Sequence, residues 1–147
     1  MKRKFIDSNV FLYAYLRPRR ELSDREKKIK ALAAKIIEDI EKGQEFVVTT
    51  VVHLSEVLNI IEDRLGLSCS QDFLESILAM DNFEIFPVSV EDYQVALEIS
   101  TRFFISINDA LAYIKMKKEN IREIYTFDKH FRNIADIVIL PDPREYE

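Results

Sequence analysis

Glycine, cysteine and tryptophan are nearly missing from this 147-residue chain, which has two glycines, one cysteine and no tryptophan. Two glycines cannot build the glycine-rich turn that brings a backbone up to a pyrophosphate, so a dinucleotide-binding enzyme is excluded. The lone cysteine, Cys69, excludes an internal disulfide, and with two histidines it makes no convincing zinc set. No uncharged apolar run approaches the ~20 residues needed to cross a bilayer. The opening Lys2-Arg3-Lys4 runs straight into strand-like sequence rather than an apolar signal core. These absences lead us to expect a cytoplasmic protein with no membrane partner.

What is present is an ordinary globular mixture, 48% apolar and 32% charged, without linker, repeat or low-complexity tract. That suits a single domain over residues 1–147, a length at which folding buries roughly 68–70% of the chain's surface. The charge is unevenly placed. The net charge is −5, yet Arg17 to Lys35 carries eight basic residues against three acids, a local +5 that leaves −10 on the remainder. Such a division suits a protein that gathers carboxylates in one place and holds phosphates in another. The plainer alternative is a basic loop followed by a solvated helix face.

Hydrophobic periodicity predicts strands alternating with helices. Residues 3–6 form a short buried strand, and Ser8 or Asn9 is expected to cap a helix through about Leu16. Ser23-Asp24-Arg25-Glu26 has capping-box spacing and opens a helix that Gly43 ends. Further strands are predicted at 45–50, 83–88, 123–127 and 137–141, the one at 83–88 bearing Pro87, which suits a strand end or a sheet edge. Helices are predicted at 51–65, 71–80, 90–103 and 107–119, with a short turn or helix at 129–134. Cys69 is expected in a loop. Apolar strands separated by helices indicate a parallel sheet covered on both faces, an α/β/α sandwich.

Four acids stand out as single carboxylates within apolar sequence, where an unpaired charge costs most. Asp7 ends the first strand in "KFIDSNVFLYAY", Glu56 lies in "VVHLSEVLNII", Asp109 in "FFISINDALAYI", and Asp128 follows the fourth strand in "IYTFDKHF". Open α/β sheets bind ligands beyond the carboxyl ends of their strands. If the first and fourth strands are neighbours, Asp7 and Asp128 meet there, and Glu56 and Asp109 can lean in from helices. At ~6 Å and an effective dielectric near 20, each charged pair costs roughly 3 kcal/mol. Such a pocket must take up protons or bind cations, and oxygen donors favour Mg²⁺ or Mn²⁺ over zinc. Taken singly, each acid has an ordinary reading. Asp109 could cap its helix, with Ser106 and Asn108 as rivals, Glu56 could pair with His53 one turn earlier, and Asp128 and His130 could be turn residues.

These four motifs, in this order and across almost the whole chain, resemble those of the PIN domain family. The resemblance implies a five-stranded parallel sheet of order 3-2-1-4-5 and a Mg²⁺- or Mn²⁺-dependent ribonuclease. Asp7, Glu56, Asp109 and Asp128 would be its metal-site acids, with Asn9 and Thr126 at small polar positions beside them. It further implies an RNA substrate, a VapC-type toxin with a small antitoxin as partner, and a homodimer. One departure is Asn108, an amide where some members offer a further acid. Glu56 or Asp128 is the carboxylate expected to orient or deprotonate a water. Arg17, Arg19, Arg20 and Lys129 are candidates for holding a nucleic-acid backbone. Tyr13 and Tyr15 could stack on bases, but at a spacing of two they cannot share one helix face.

Rival enzymes fit less well. A haloacid-dehalogenase-type phosphatase wants a second Asp two residues after the first, and this chain has Asn9. A phospho-receiver domain wants an acidic pair near the first strand and a lysine after the fifth, and neither is present. The non-enzyme alternative is a catalytically inactive scaffold or RNA-binding protein of the same fold.

Overall fold

A computed structural model of the chain describes residues 2–147. Five strands, β1 (Arg3–Ile6), β2 (Phe46–Thr50), β3 (Phe83–Phe86), β4 (Glu123–Tyr125) and β5 (Val138–Leu140), form one parallel sheet in the order β3-β2-β1-β4-β5. Phe5 lies opposite Val48 on one side and Ile124 on the other, so β1 is central and β4 is its neighbour. Pro87 follows the end of β3, an edge strand, where a missing amide costs no ladder bond.

Six α-helices cover the sheet among the described residues: α1 (Ser8–Tyr15), α2 (Asp24–Glu41), α3 (Val51–Leu65), α4 (Leu67–Ala79), α5 (Val90–Phe103) and α6 (Ile107–Lys118). Successive strand residues point to opposite faces. Ile6 and Val47 therefore pack with Val10, Phe11, Ile29, Ala33 and Val57 on one side, while Phe5 and Val48 pack with Ala96, Leu111, Met116 and Phe131 on the other. The result is the expected three-layer sandwich.

Local differences from the sequence reading have identifiable causes. Asp7, not Ser8 or Asn9, caps α1, its side chain accepting the Ser8 amide. α4 starts at Leu67 rather than near residue 71, so Cys69 is an exposed helical residue and not a loop residue. Gly66, at φ 97°, ends α3 and is at once the residue before α4, a left-handed turn too short to register as a loop. Ser106 caps α6 by accepting the Asp109 amide, which frees the Asp109 side chain from that duty.

The last turn of α1 has no basic residue of its own. Lys30 supplies one from α2. Its Nζ donates to the carbonyls of Tyr13 (3.0 Å), Ala14 (3.2 Å) and Leu16 (3.1 Å), pinning the end of the helix that carries Ser8 and Asn9. We expect Lys30→Met to lower the unfolding free energy by about 1–2 kcal/mol, measured by urea denaturation.

Candidate functional site

The site begins with strand pairing. The Asp7 amide donates to the Tyr125 carbonyl at 2.9 Å, so the chain leaving β1 and the chain leaving β4 emerge side by side. Asp7 is buried there, its Oδ1 accepting the Ser8 amide and its Oδ2 the Thr126 hydroxyl, both at 2.8 Å. Thr126 Oγ1 accepts in turn from the Asp128 amide at 3.0 Å and from Asn9 Nδ2 at 3.5 Å. Asn9 Oδ1 accepts the Phe127 amide at 3.3 Å. Asn9 and Thr126 thus stand beside Asp7 and stitch the two strand exits together.

The other acids arrive from separate elements. Glu56, from α3, is bonded by the Ser8 hydroxyl and by Asn108 Nδ2 at 3.1 Å. The alternative pairing of Glu56 with His53 is not formed. His53 lies on the buried side of α3, where Nδ1 meets Thr50 Oγ1 at 2.7 Å and the ring stands edge-on to Phe5. Asn108, the amide at the position where some family members carry an acid, therefore serves as a donor to Glu56. Asp109 projects from the first turn of α6 and is buried, with no partner for Oδ2 among the described residues. Asp128 caps the 3₁₀ helix Lys129–Asn133, accepting the His130 amide at 2.9 Å, and His130 Nδ1 sits 2.9 Å from the same oxygen.

Asp7, Asn9, Glu56, Asn108, Asp109 and Asp128 line one cavity of about 480 Å³ at the carboxyl ends of β1 and β4. Asp109, Asp128 and His130 each offer a ligand atom, all within 4.8 Å of one another. A cation fits this arrangement, because it would satisfy the orphaned Asp109 oxygen and offset the crowded charge. The donor set is not oxygen alone, since His130 adds a nitrogen.

The electrostatics follow from burial. Desolvation pushes the Asp7 carboxyl up to about 6, and Asp128 and Glu56 add repulsion, against the bonds from Thr126 and Ser8. Asp109 is held well above the usual carboxylate range, first by burial and then by Asp7 and Asp128. Burial also pushes His53 down to about 4, so this ring is neutral near pH 7.

The basic candidates lie outside the cavity, and Arg17, Arg19, Arg20 and Lys129 are exposed. Arg20 is engaged, its guanidinium gripping Glu26 at 2.8 and 2.7 Å and holding that carboxyl down at about 2. A second cavity of about 390 Å³, lined by Tyr13, Pro18, Arg20, Glu26 and Arg64, meets the acidic one at Asn9. Tyr13 packs on Phe127 and Tyr15 on Phe73, so the two tyrosines do face different ways. Sequence reasoning missed Ser8 as a donor to Glu56 and set His130 aside as a turn residue. The signal for His130 was its place two residues after Asp128, where one tight turn points both side chains the same way.

A pH dependence follows. Asp7 holds its proton more tightly folded than unfolded, so stability present below its ordinary value of 3.8 is lost as pH rises through about 6. The loss is on the order of 3 kcal/mol. Urea denaturation in chelator at pH 4 and pH 8 should show Asp7→Asn gaining about that much relative to wild type between the two conditions. An unchanged difference would mean that the Asp7 charge is not desolvated.

Comparison with known proteins agrees with this fold. The chain is similar in structure to VapC20 of Mycobacterium tuberculosis, a toxin that cleaves the sarcin–ricin loop, with 18% identity, a TM-score of 0.67, and 90% of this chain and 95% of that one covered. It is similar to VapBC2 of Rickettsia felis, solved with a DNA fragment from its promoter, at 17% identity, a TM-score of 0.61, and 93% and 96% coverage. A toxin–antitoxin complex from Klebsiella pneumoniae aligns at 13% identity with a TM-score of 0.59, covering 92% of this chain and 95% of that one. No curated protein sequence gave a significant match. The family model of the PIN domain matches residues 4–137, which is nearly the whole chain, and so the chain belongs to the PIN domain family.

Proposed function

We propose that this protein is a divalent-metal-dependent endoribonuclease that hydrolyses RNA phosphodiester bonds, acting as the toxin of a toxin–antitoxin pair. One observation carries the reading: carboxylates from four distant segments line a single cavity that contains a buried, unpartnered acidic oxygen. Asp109 and Asp128, whose ligand atoms converge with that of His130, would hold the ion together with Asp7 and Glu56 from the same cavity wall, and a mainly oxygen set suits Mg²⁺ or Mn²⁺. When bound, such an ion supplies a water of lowered pKa and positive charge against the scissile phosphate.

The chain's own residues provide the rest. Thr126 and Asn9 hold Asp7 and the exit from β4 in fixed positions. Glu56, fixed by Ser8 and Asn108 at the cavity wall, is placed to orient a water and accept its proton. Arg17, Arg19 and Lys129 present exposed cations to the phosphate backbone, fixing position without reading sequence. Arg20 joins them only by giving up Glu26. The toxin–antitoxin nature of the structural neighbours supports a small antitoxin as partner, and a homodimer is what the family resemblance implies.

Incubation with single-stranded RNA and Mn²⁺ or Mg²⁺ tests the proposal. Wild type should cleave, chelator should stop it, and Asp7→Asn or Asp109→Asn should lower the rate by at least ~10²-fold while the fold is retained. RNA binding without cleavage under every metal condition would instead favour the inactive scaffold. Replacing Arg17 and Arg19 by Gln should weaken RNA binding and flatten its salt dependence by roughly 0.7 per lost phosphate contact. Equal affinity and an equal salt slope would return the basic segment to an ordinary solvated loop.

A further inference from the structure

His53 is the one buried titratable side chain beside the acidic cavity that the proposed hydrolysis does not use. It is almost fully enclosed, and its Nε2 makes no hydrogen bond of good geometry among the described residues, the Asn108 carbonyl being the backbone acceptor beside the ring. An unpartnered buried polar atom is destabilising, so its persistence needs a reason.

The hydrogen bonds around Thr50 decide which ring nitrogen carries the proton. Thr50 is fully buried and caps α3, and its Oγ1 accepts the amides of Val52 and His53, each at 3.2 Å. Those two bonds occupy the hydroxyl's two lone pairs, and its remaining capacity is one O–H donor. The contact 2.7 Å away is His53 Nδ1, which must accept that proton. A neutral ring that accepts at Nδ1 carries its own hydrogen on Nε2. Nε2 stands 4.0 Å from Asp7 Oδ1, too far for a hydrogen bond but within one small side-chain adjustment of it.

The tautomer matters because it sets the sign of the interaction. A bare Nε2 would accept a proton from a neutral Asp7 carboxyl and so support the form that cannot bind a cation. An Nε2–H does the opposite and offers the carboxylate a donor. We propose that His53 is a positioning residue, held by Thr50 as the Nε2–H tautomer so that it presents a donor to Asp7 Oδ1 and aims that carboxylate at a divalent cation. This inference rests on the metal-site reading above. Outer groups that hold a ligating side chain in this way typically contribute 10–100-fold to metal affinity.

Two measurements test it. In chelated protein near neutral pH, ¹⁵N spectra of the imidazole nitrogens should show His53 protonated at Nε2 alone, and a proton on Nδ1 or on both nitrogens would overturn the proposal. Mn²⁺ titration by calorimetry should then compare wild type, His53→Gln, His53→Leu and Asp7→Asn. Gln carries an amide donor near the Nε2 position and should bind within about threefold of wild type, whereas Leu, which fills the space without a donor, should lose about tenfold or more. If a folded Leu variant binds as wild type does, or if Gln fails to rescue, the role assigned to His53 is wrong. If Asp7→Asn itself binds Mn²⁺ undiminished, the metal-site reading fails instead. Should the Leu variant not fold, the nitrogen spectrum and the Gln variant decide.

Discussion

The pairing of β1 with β4 is the constraint on which the site depends. A parallel neighbour separated by more than a hundred residues brings Asp7 beside the chain that leads to Thr126 and Asp128, and the Asp7 amide to Tyr125 carbonyl bond extends that pairing into the cavity itself. Parallel strands need long crossover connections, and here the connections carry function. α3 brings Glu56 in its second turn and α6 brings Asp109 in its first, both in the half of the helix nearer the sheet's carboxyl edge.

Charge held out of solvent follows from this geometry. Buried carboxylates at Asp7 and Asp109 repel each other and lack water, so both are biased toward protonation. The surrounding donors resist that bias unequally. Asp7 receives bonds at both oxygens, whereas one Asp109 oxygen receives none among the described residues. Full satisfaction would have made a quiet structural cluster. The imbalance leaves room for a positive charge, and burial strengthens its attraction because little water screens it.

Much of this was legible in residue order. Strand–helix alternation, the capping box at Ser23, the cap at Ser89 and the edge position implied by Pro87 all depend on neighbours a few residues away, and all are present. The early start of α4 was hidden because a single glycine joins two helices without a polar spacer. The donor to Glu56 was hidden as well. His53 sits one turn away on the same helix, yet the true partners, Ser8 and Asn108, come from α1 and α6.

By itself the chain determined its alternation of elements and marked four acids as out of place in apolar surroundings, because hydrophobic period and local hydrogen bonding act over short separations. Only the tertiary structure decided that those acids share a cavity, that the His130 nitrogen comes within reach of Asp109, and that the ring of His53 stands beside Asp7. Those outcomes depend on which strands become neighbours, and sheet order joins residues whose spacing along the chain carries no trace of their distance in space.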